Sequence, residues 1–180
     1  MKARVYKPEL TIITHDADTA GLLKMDLTAT PVPDTGFACI GRYFKDLKAL
    51  CLGGGLGIAA NQVGLSLNFF FLSHVLKIFP RSETGEICIN PEWRPLSPGK
   101  VPGTEGCMSY PGRNFRMMRY PVIEAEWTNT QGHHIKRKLS NLPAVVFQHE
   151  HDHLRGVCLP DVAEEIVKTH QKHTKYDSNE

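Results

Sequence analysis

The 180-residue sequence has no C-x-x-C pair, no apolar run long enough to cross a bilayer and almost no imbalance of charge, and each absence removes a class of function. The five cysteines, Cys39, Cys51, Cys88, Cys107 and Cys158, are odd in number and widely spaced, which argues against a disulfide framework and against a zinc knuckle. They read as reduced thiols, most of them core filler. Lys and Arg number 21 against 19 Asp and Glu, a formal charge of +2, and the basic stretch Lys136, Arg137, Lys138 is short and has no interleaved aromatics. With no excess of cations to neutralise phosphates, nucleic acid is not expected as a primary ligand. The longest apolar run, residues 67–72 around one Asn, falls far short of the roughly 20 residues that span a bilayer, so no membrane segment is expected. Residues 1–10 carry Lys2, Arg4, Lys7 and Glu9 in place of the apolar stretch of a secretory signal, and the chain reads as cytoplasmic.

What is present suits one soluble domain over residues 1–180, with about 160–180 as a flexible tail. A chain of this length buries roughly 70% of the surface its unfolded form exposes, so one core needs no staple. Residues 1–36 are polar and irregular. Ile40, Phe44, Leu47 and Cys51 recur at helical spacing after Asp34 and Thr35, and predict a helix that the following glycines end. Residues 67–73 suit a short buried strand, and a second apolar stretch surrounds residues 87–90. Residues 91–121, with six prolines and four glycines, read as extended structure and loops. Alternation over residues 122–127, turn residues at 128–132 and an extended run over 133–139 predict an antiparallel hairpin. A helix should follow, with Asn141 as N-cap and Pro143 in its first turn, because Leu142, Val145, Val146, His149 and His153 share one face. Beyond Pro160, Val162, Ile166 and Val167 allow a weak helix.

The strongest chemical signal is the H-E-x-x-H pattern His149, Glu150, His151, Asp152, His153 inside that helix. Side chains four apart project from one face, so His149 and His153 can converge on one metal ion while Glu150 reaches a water beside it. His151 and Asp152 point elsewhere. The two histidines need a third ligand. The extended protease pattern fails, since Leu159 stands where a third histidine would be. Glu164 and Glu165 lie in a polar, exposed-looking stretch, and Cys158 would need a tight reversal after Gly156. Cys107, in the run Glu105, Gly106, Cys107, Met108, Ser109, is the better candidate.

A glycine cluster precedes these segments. No Lys follows it as a phosphate loop requires, and a helix stands where a dinucleotide site needs a strand. Residues 55–62, Gly55-Leu56-Gly57-Ile58-Ala59-Ala60-Asn61-Gln62, read better as a strand whose glycines admit a substrate backbone, ending in an amide donor.

The three segments resemble, in order, the motifs G-x-G-x-A-A-x-Q, E-G-C-L-S and H-E-x-D-H of peptide deformylases, with Met108 in place of the usual leucine. The resemblance implies an α+β fold, antiparallel strands packed around a central helix that carries the metal motif. It implies Cys107, His149 and His153 as metal ligands, with water completing the set. Ferrous iron (Fe2+) is the family's usual metal, and Zn2+, Ni2+ or Co2+ can replace it. The implied reaction removes formate from N-formylmethionyl peptides or nascent chains, with the ribosome as a place of encounter. Glu150 is the implied general base, and Gln62 and the Met108 backbone N–H are the implied oxyanion donors. Leu56, Leu142, Val145 and Val146 are expected to form the methionine pocket, and Gly57 and Gly106 to leave backbone free for the peptide. Arg119 matches the family arginine after the second motif and is expected to pair with Glu105. Two other readings compete, a metalloprotease and a binding module with a structural metal. The first would tolerate Cys107→Ser, and the second has no use for a carboxylate at Glu150.

Overall fold

The computed structural model describes residues 55–76 and 85–168. The helix expected over residues 34–51 and the irregular residues 1–36 lie outside them. Eight strands are described: β1 (Gly57–Ala59), β2 (Phe69–Ser73), β3 (Gly85–Pro95), β4 (Val101–Gly106), β5 (Arg113–Arg119), β6 (Val122–Thr128), β7 (His134–Ser140) and β8 (Glu165–Lys168). Helix α1 (Leu142–Leu154) follows β7, and the one-turn α2 (Leu159–Val162) precedes β8. The strands form a five-stranded sheet in the order β1-β2-β3-β6-β7 and a three-stranded sheet in the order β4-β5-β8, every pair antiparallel. The fold is α+β, as expected. No helix among the described residues is long and apolar enough to cross a membrane.

The run of phenylalanines in β2 explains where the sheet sits. Phe70 and Leu72 join a core that includes Trp127, Leu139 and Phe147, while Phe69 and Phe71 join a second core with Ile58, Ile87 and Ile89. With both faces covered the strand cannot alternate with polar residues, which is why it reads as continuous apolar sequence. The Phe147 ring of α1 meets Phe70 edge-on, with centroids 5.0 Å apart, and lies 5.9 Å from Trp127. These contacts dock the helix on the sheet. Buried Gln148 closes the other flank: its Nε2 donates to Tyr120 O at 2.8 Å and its Oε1 accepts from Tyr120 N at 3.1 Å.

Three expectations need correction. The β6–β7 hairpin forms as expected, but Asn141 caps α1 only through its backbone, whose carbonyl accepts from Val145 N at 3.0 Å. Its φ of 58° turns the chain sharply out of β7, and its side chain makes no capping bond. Residues 91–121 are more regular than their prolines suggest, because Pro91 sits at the register shift of β3, Pro95 at its end and Pro102 on the edge strand β4, where no ladder donor is needed. The weak helix beyond Pro160 stops at Val162. Ile166 and Val167 belong instead to β8, which pairs with Phe115 and Asn114 of β5, so strand pairing prevails over a marginal helical period.

Candidate metal centre and cavity

Three segments meet at one point. The first is the end of β4 and the turn after it, where Tyr110 N donates to Cys107 O at 3.0 Å and holds Cys107 at the bend. The second is the middle of α1. Cys107 Sγ lies 3.2 Å from His153 Nε2, which lies 3.1 Å from His149 Nε2, and the three ligand atoms fall within 4.8 Å of one another. Two imidazole nitrogens and a thiol this close must share a proton or a cation, and one soft sulfur with two imidazoles suits zinc or iron.

The surroundings fix the tautomer. Glu105 Oε2 lies 2.8 Å from His149 Nδ1, leaving Nε2 to face the thiol. That carboxylate is itself held by Arg119, whose Nε and NH2 donate to its two oxygens at 2.8 and 3.1 Å, and Arg119 also pairs with Asp152. Burial pushes the Glu105 carboxyl up, but hydrogen bonds from His149 and Arg119 outweigh it and hold the group below its ordinary range. A charged Glu105 against a ring nitrogen is the arrangement that orients a metal-ligating histidine. The Glu105–Arg119 pair was expected from the sequence; the contact with His149 and the part of Asp152 were not. Both acids stand beside motif residues, but nothing in spacing alone shows which partner a β4 glutamate meets on a distant helix.

The third segment is β1 with the 3-10 turn Ala60–Val63 behind it. Gln62 Oε1 accepts from Ala59 N at 2.8 Å, which turns its Nε2 toward Ser109 Oγ at 3.1 Å and Cys107 Sγ at 3.6 Å. Asn61 Nδ2 donates to the backbone carbonyl of His153, stitching this turn to the helix. Gly57 faces Glu150: a Cβ there would stand 2.7 to 2.9 Å from Oε1, Cγ and Cδ of that side chain. The room left by the missing side chain is thus taken by the glutamate. Glu150 is 4% exposed, and its Oε2 is buried with no hydrogen-bond partner. Burial pushes its carboxyl up to about 7, against the opposing charge of His149. An unsatisfied acceptor of this kind calls for a water or a substrate proton.

A cavity of about 670 Å³ opens on these groups. Leu56, Gly57, Gly106, Leu142, Val145 and Val146 all line it, together with Gln62, Cys107, Met108, His149 and Glu150. Thr104 and Pro111 also line it and carried no signal in the sequence. Leu142, at the mouth, is 52% exposed, whereas Val146 is buried. Met108 packs against the second core. His151 lies on the other side of the helix, where its Nδ1 accepts from Trp93 Nε1 at 3.3 Å.

Known proteins share this architecture. A solved peptide deformylase from Thermotoga maritima superposes with a TM-score of 0.72 at 28% identity, covering 87% of this chain and 98% of that one. One from the Vibrio parahaemolyticus bacteriophage VP16T, solved with actinonin, gives 0.67 at 29% identity over 82% of this chain and 98% of that one. In sequence the chain is 34% identical to a peptide deformylase of Aquifex aeolicus over 110 residues, 59% of this chain and 62% of that relative's length. It is 36% identical to peptide deformylase 2 of Nostoc over 136 residues, 73% and 76% of the two chains. The model of the polypeptide deformylase family matches residues 18–169, which takes in all three segments that meet at the cavity, and the chain belongs to that family.

Proposed function

We propose that the chain is a single catalytic domain that removes the formyl group from N-formylmethionyl peptides and nascent chains, releasing formate, with Cys107, His149 and His153 holding a divalent metal. One observation carries this reading: a thiol and two imidazole nitrogens converge within 4.8 Å beside a buried, cavity-lining carboxylate that has one oxygen without a hydrogen-bond partner. A structural metal site has no use for such a carboxylate. Ferrous iron is the proposed resident, since family kinship favours it, and Zn2+, Ni2+ or Co2+ would satisfy the same donors. When bound, the metal acts as a Lewis acid that brings a water's pKa toward neutrality.

The chain's own residues supply the rest. Glu150, with its carboxyl near 7, takes the water's proton as the oxygen attacks the formyl carbon, and returns it to the leaving amine. Charge develops on the formyl oxygen. Gln62 Nε2, already aimed across the Cys107 segment, donates to it, and the Met108 backbone N–H is the second donor proposed. Leu56, Leu142, Val145 and Val146 give the methionine side chain an apolar wall, while Gly57 and Gly106 bring their backbone groups to the cavity edge to pair with the peptide. The cytoplasm is the proposed location and the ribosome the proposed place of encounter with substrate.

The test is formate release from a short N-formylmethionyl peptide by anaerobically prepared, metal-loaded protein, with Glu150→Gln beside it. Release by the wild type alone supports the reading. A folded, metal-loaded wild type that releases none refutes it.

A further inference from the structure

Among the described residues, one cysteine outside the proposed ligand set packs beside it. Helix α1 ends at Leu154, and Gly156, at a φ of 71°, makes the tight reversal that the sequence demands of any return to the centre. Gly156 N donates to His153 O and Val157 N to Asp152 O, each at 2.9 Å, so the reversal is closed by the last turn of the metal helix itself. Cys158 follows at once. It packs against the same small cluster as Cys107, formed by Tyr110, Phe115, Met117 and Leu159. Tyr110 joins the two segments: its backbone N–H donates to Cys107 O, and its side chain hydrogen-bonds Cys158. Both residues are half-buried, with Cys107 on the cavity wall. Cys88, by contrast, is fully buried in the first core.

We infer that Cys158 is a resolving thiol for Cys107, so that a peroxide converts the pair to a reversible disulfide that releases the metal and spares the ligand from permanent oxidation. The inference rests on Cys107 being a metal ligand. In the first step the Cys107 thiolate attacks hydrogen peroxide, an S–O bond forms as the O–O bond breaks, and hydroxide leaves. The sulfenic acid so formed is then attacked by the Cys158 sulfur. An S–S bond replaces the S–O bond, and the departing hydroxyl takes the thiol proton as water. Two thiols lose two electrons and one peroxide gains them. Without a resolving partner, the sulfenic acid proceeds to sulfinic acid, which thiols do not reverse.

Zinc-loaded full-length chain suits the test, because that ion has no redox chemistry of its own. Wild type and Cys158→Ser are treated with hydrogen peroxide and then with dithiothreitol. Released zinc is followed with a chromophoric chelator, and the cysteines by non-reducing peptide mapping with mass spectrometry. Before treatment both proteins should bind one zinc and release formate equally. Afterwards the wild type should carry a Cys107–Cys158 bond and take zinc back on reduction, whereas the variant should carry Cys107 sulfinic acid and take back almost none. A wild type with no such bond, a bond from Cys107 to another cysteine, or equal recovery in the variant overturns the inference. A chain that binds no zinc before peroxide overturns the metal assignment as well.

Discussion

Glu105 and His149, 44 residues apart in sequence, are joined through a carboxylate oxygen and Nδ1 at 2.8 Å, and Arg119 anchors the carboxylate from its other side. Replacing Glu105 by Gln keeps the shape but removes the charge that orients the ring. Metal affinity, measured by competition with a chelator, should fall about 10- to 100-fold with the fold intact. Arg119→Met should act in the same direction, because it leaves Glu105 unanchored.

Glu150→Gln should leave metal content unchanged and lower kcat by about 10²- to 10⁴-fold, the usual worth of a general base. Unchanged turnover would remove Glu150 from the chemistry.

Gly57→Ala makes a sharper test of geometry. The added methyl would sit 2.7 Å from Glu150 Oε1, so the carboxylate must move. A shift near 1 Å costs on the order of 10²-fold in rate. The loss should appear in kcat with metal content preserved, and the variant should keep its melting temperature more nearly than its activity.

The metal-free protein should lose stability as pH rises. Burial disfavours the His149 imidazolium, yet hydrogen bonds with Cys107 and Glu105 outweigh it and push the ring from 6.5 up to about 10. Glu150 is likewise pushed from 4.5 up to about 7 by burial. Both groups hold their protons more tightly in the folded chain, so what they contribute is fully present below the unfolded values and is lost as pH climbs through the folded ones. The metal-free melting temperature should therefore decline from pH 6.5 toward pH 10. Metal, which displaces the His149 proton, should flatten that decline. Thermal melts across the interval with and without zinc decide the matter, and a metal-free curve that rises would contradict it.

Gln148→Leu removes both bonds to the Tyr120 backbone and leaves that N–H and carbonyl to find other partners. The expected cost is about 1 to 3 kcal/mol by chemical denaturation, with little change in metal affinity.

The sequence made α1 legible because a histidine pair, three apolar positions and Pro143 all obey one helical period, and it made the β6–β7 hairpin legible because its strands alternate around turn residues. It left β8 illegible: four residues carry too little alternation, and their partner β5 lies some fifty residues earlier, so only the assembled sheet determines their state. The site divides in the same manner. Cys107, His149 and His153 are visible through motif order, and the cavity walls through the helix face they share. Asp152 was visible only as a letter in a motif, since its partner Arg119 is brought to it by the fold. Gly57 was read as clearance for substrate, whereas its clearance is already filled by the carboxylate of Glu150. A missing side chain reports that something approaches; it does not say what.

His149, Glu150 and His153 lie within five consecutive positions of one helix, tethered at Gln148 to Tyr120 and at the His153 carbonyl to Asn61. Their mutual spacing is therefore written in backbone hydrogen bonds and behaves as a single machined part. Cys107 and Gln62 belong to a second part, linked by the amide of one to the sulfur of the other. The centre is set by the gap between these parts, which the Asn61–His153 and Glu105–His149 bonds bridge. A substitution that tunes it without breaking it must widen or narrow that gap, which places useful variation in the packing beneath Met108 and Ile58 and not among the proposed ligands themselves.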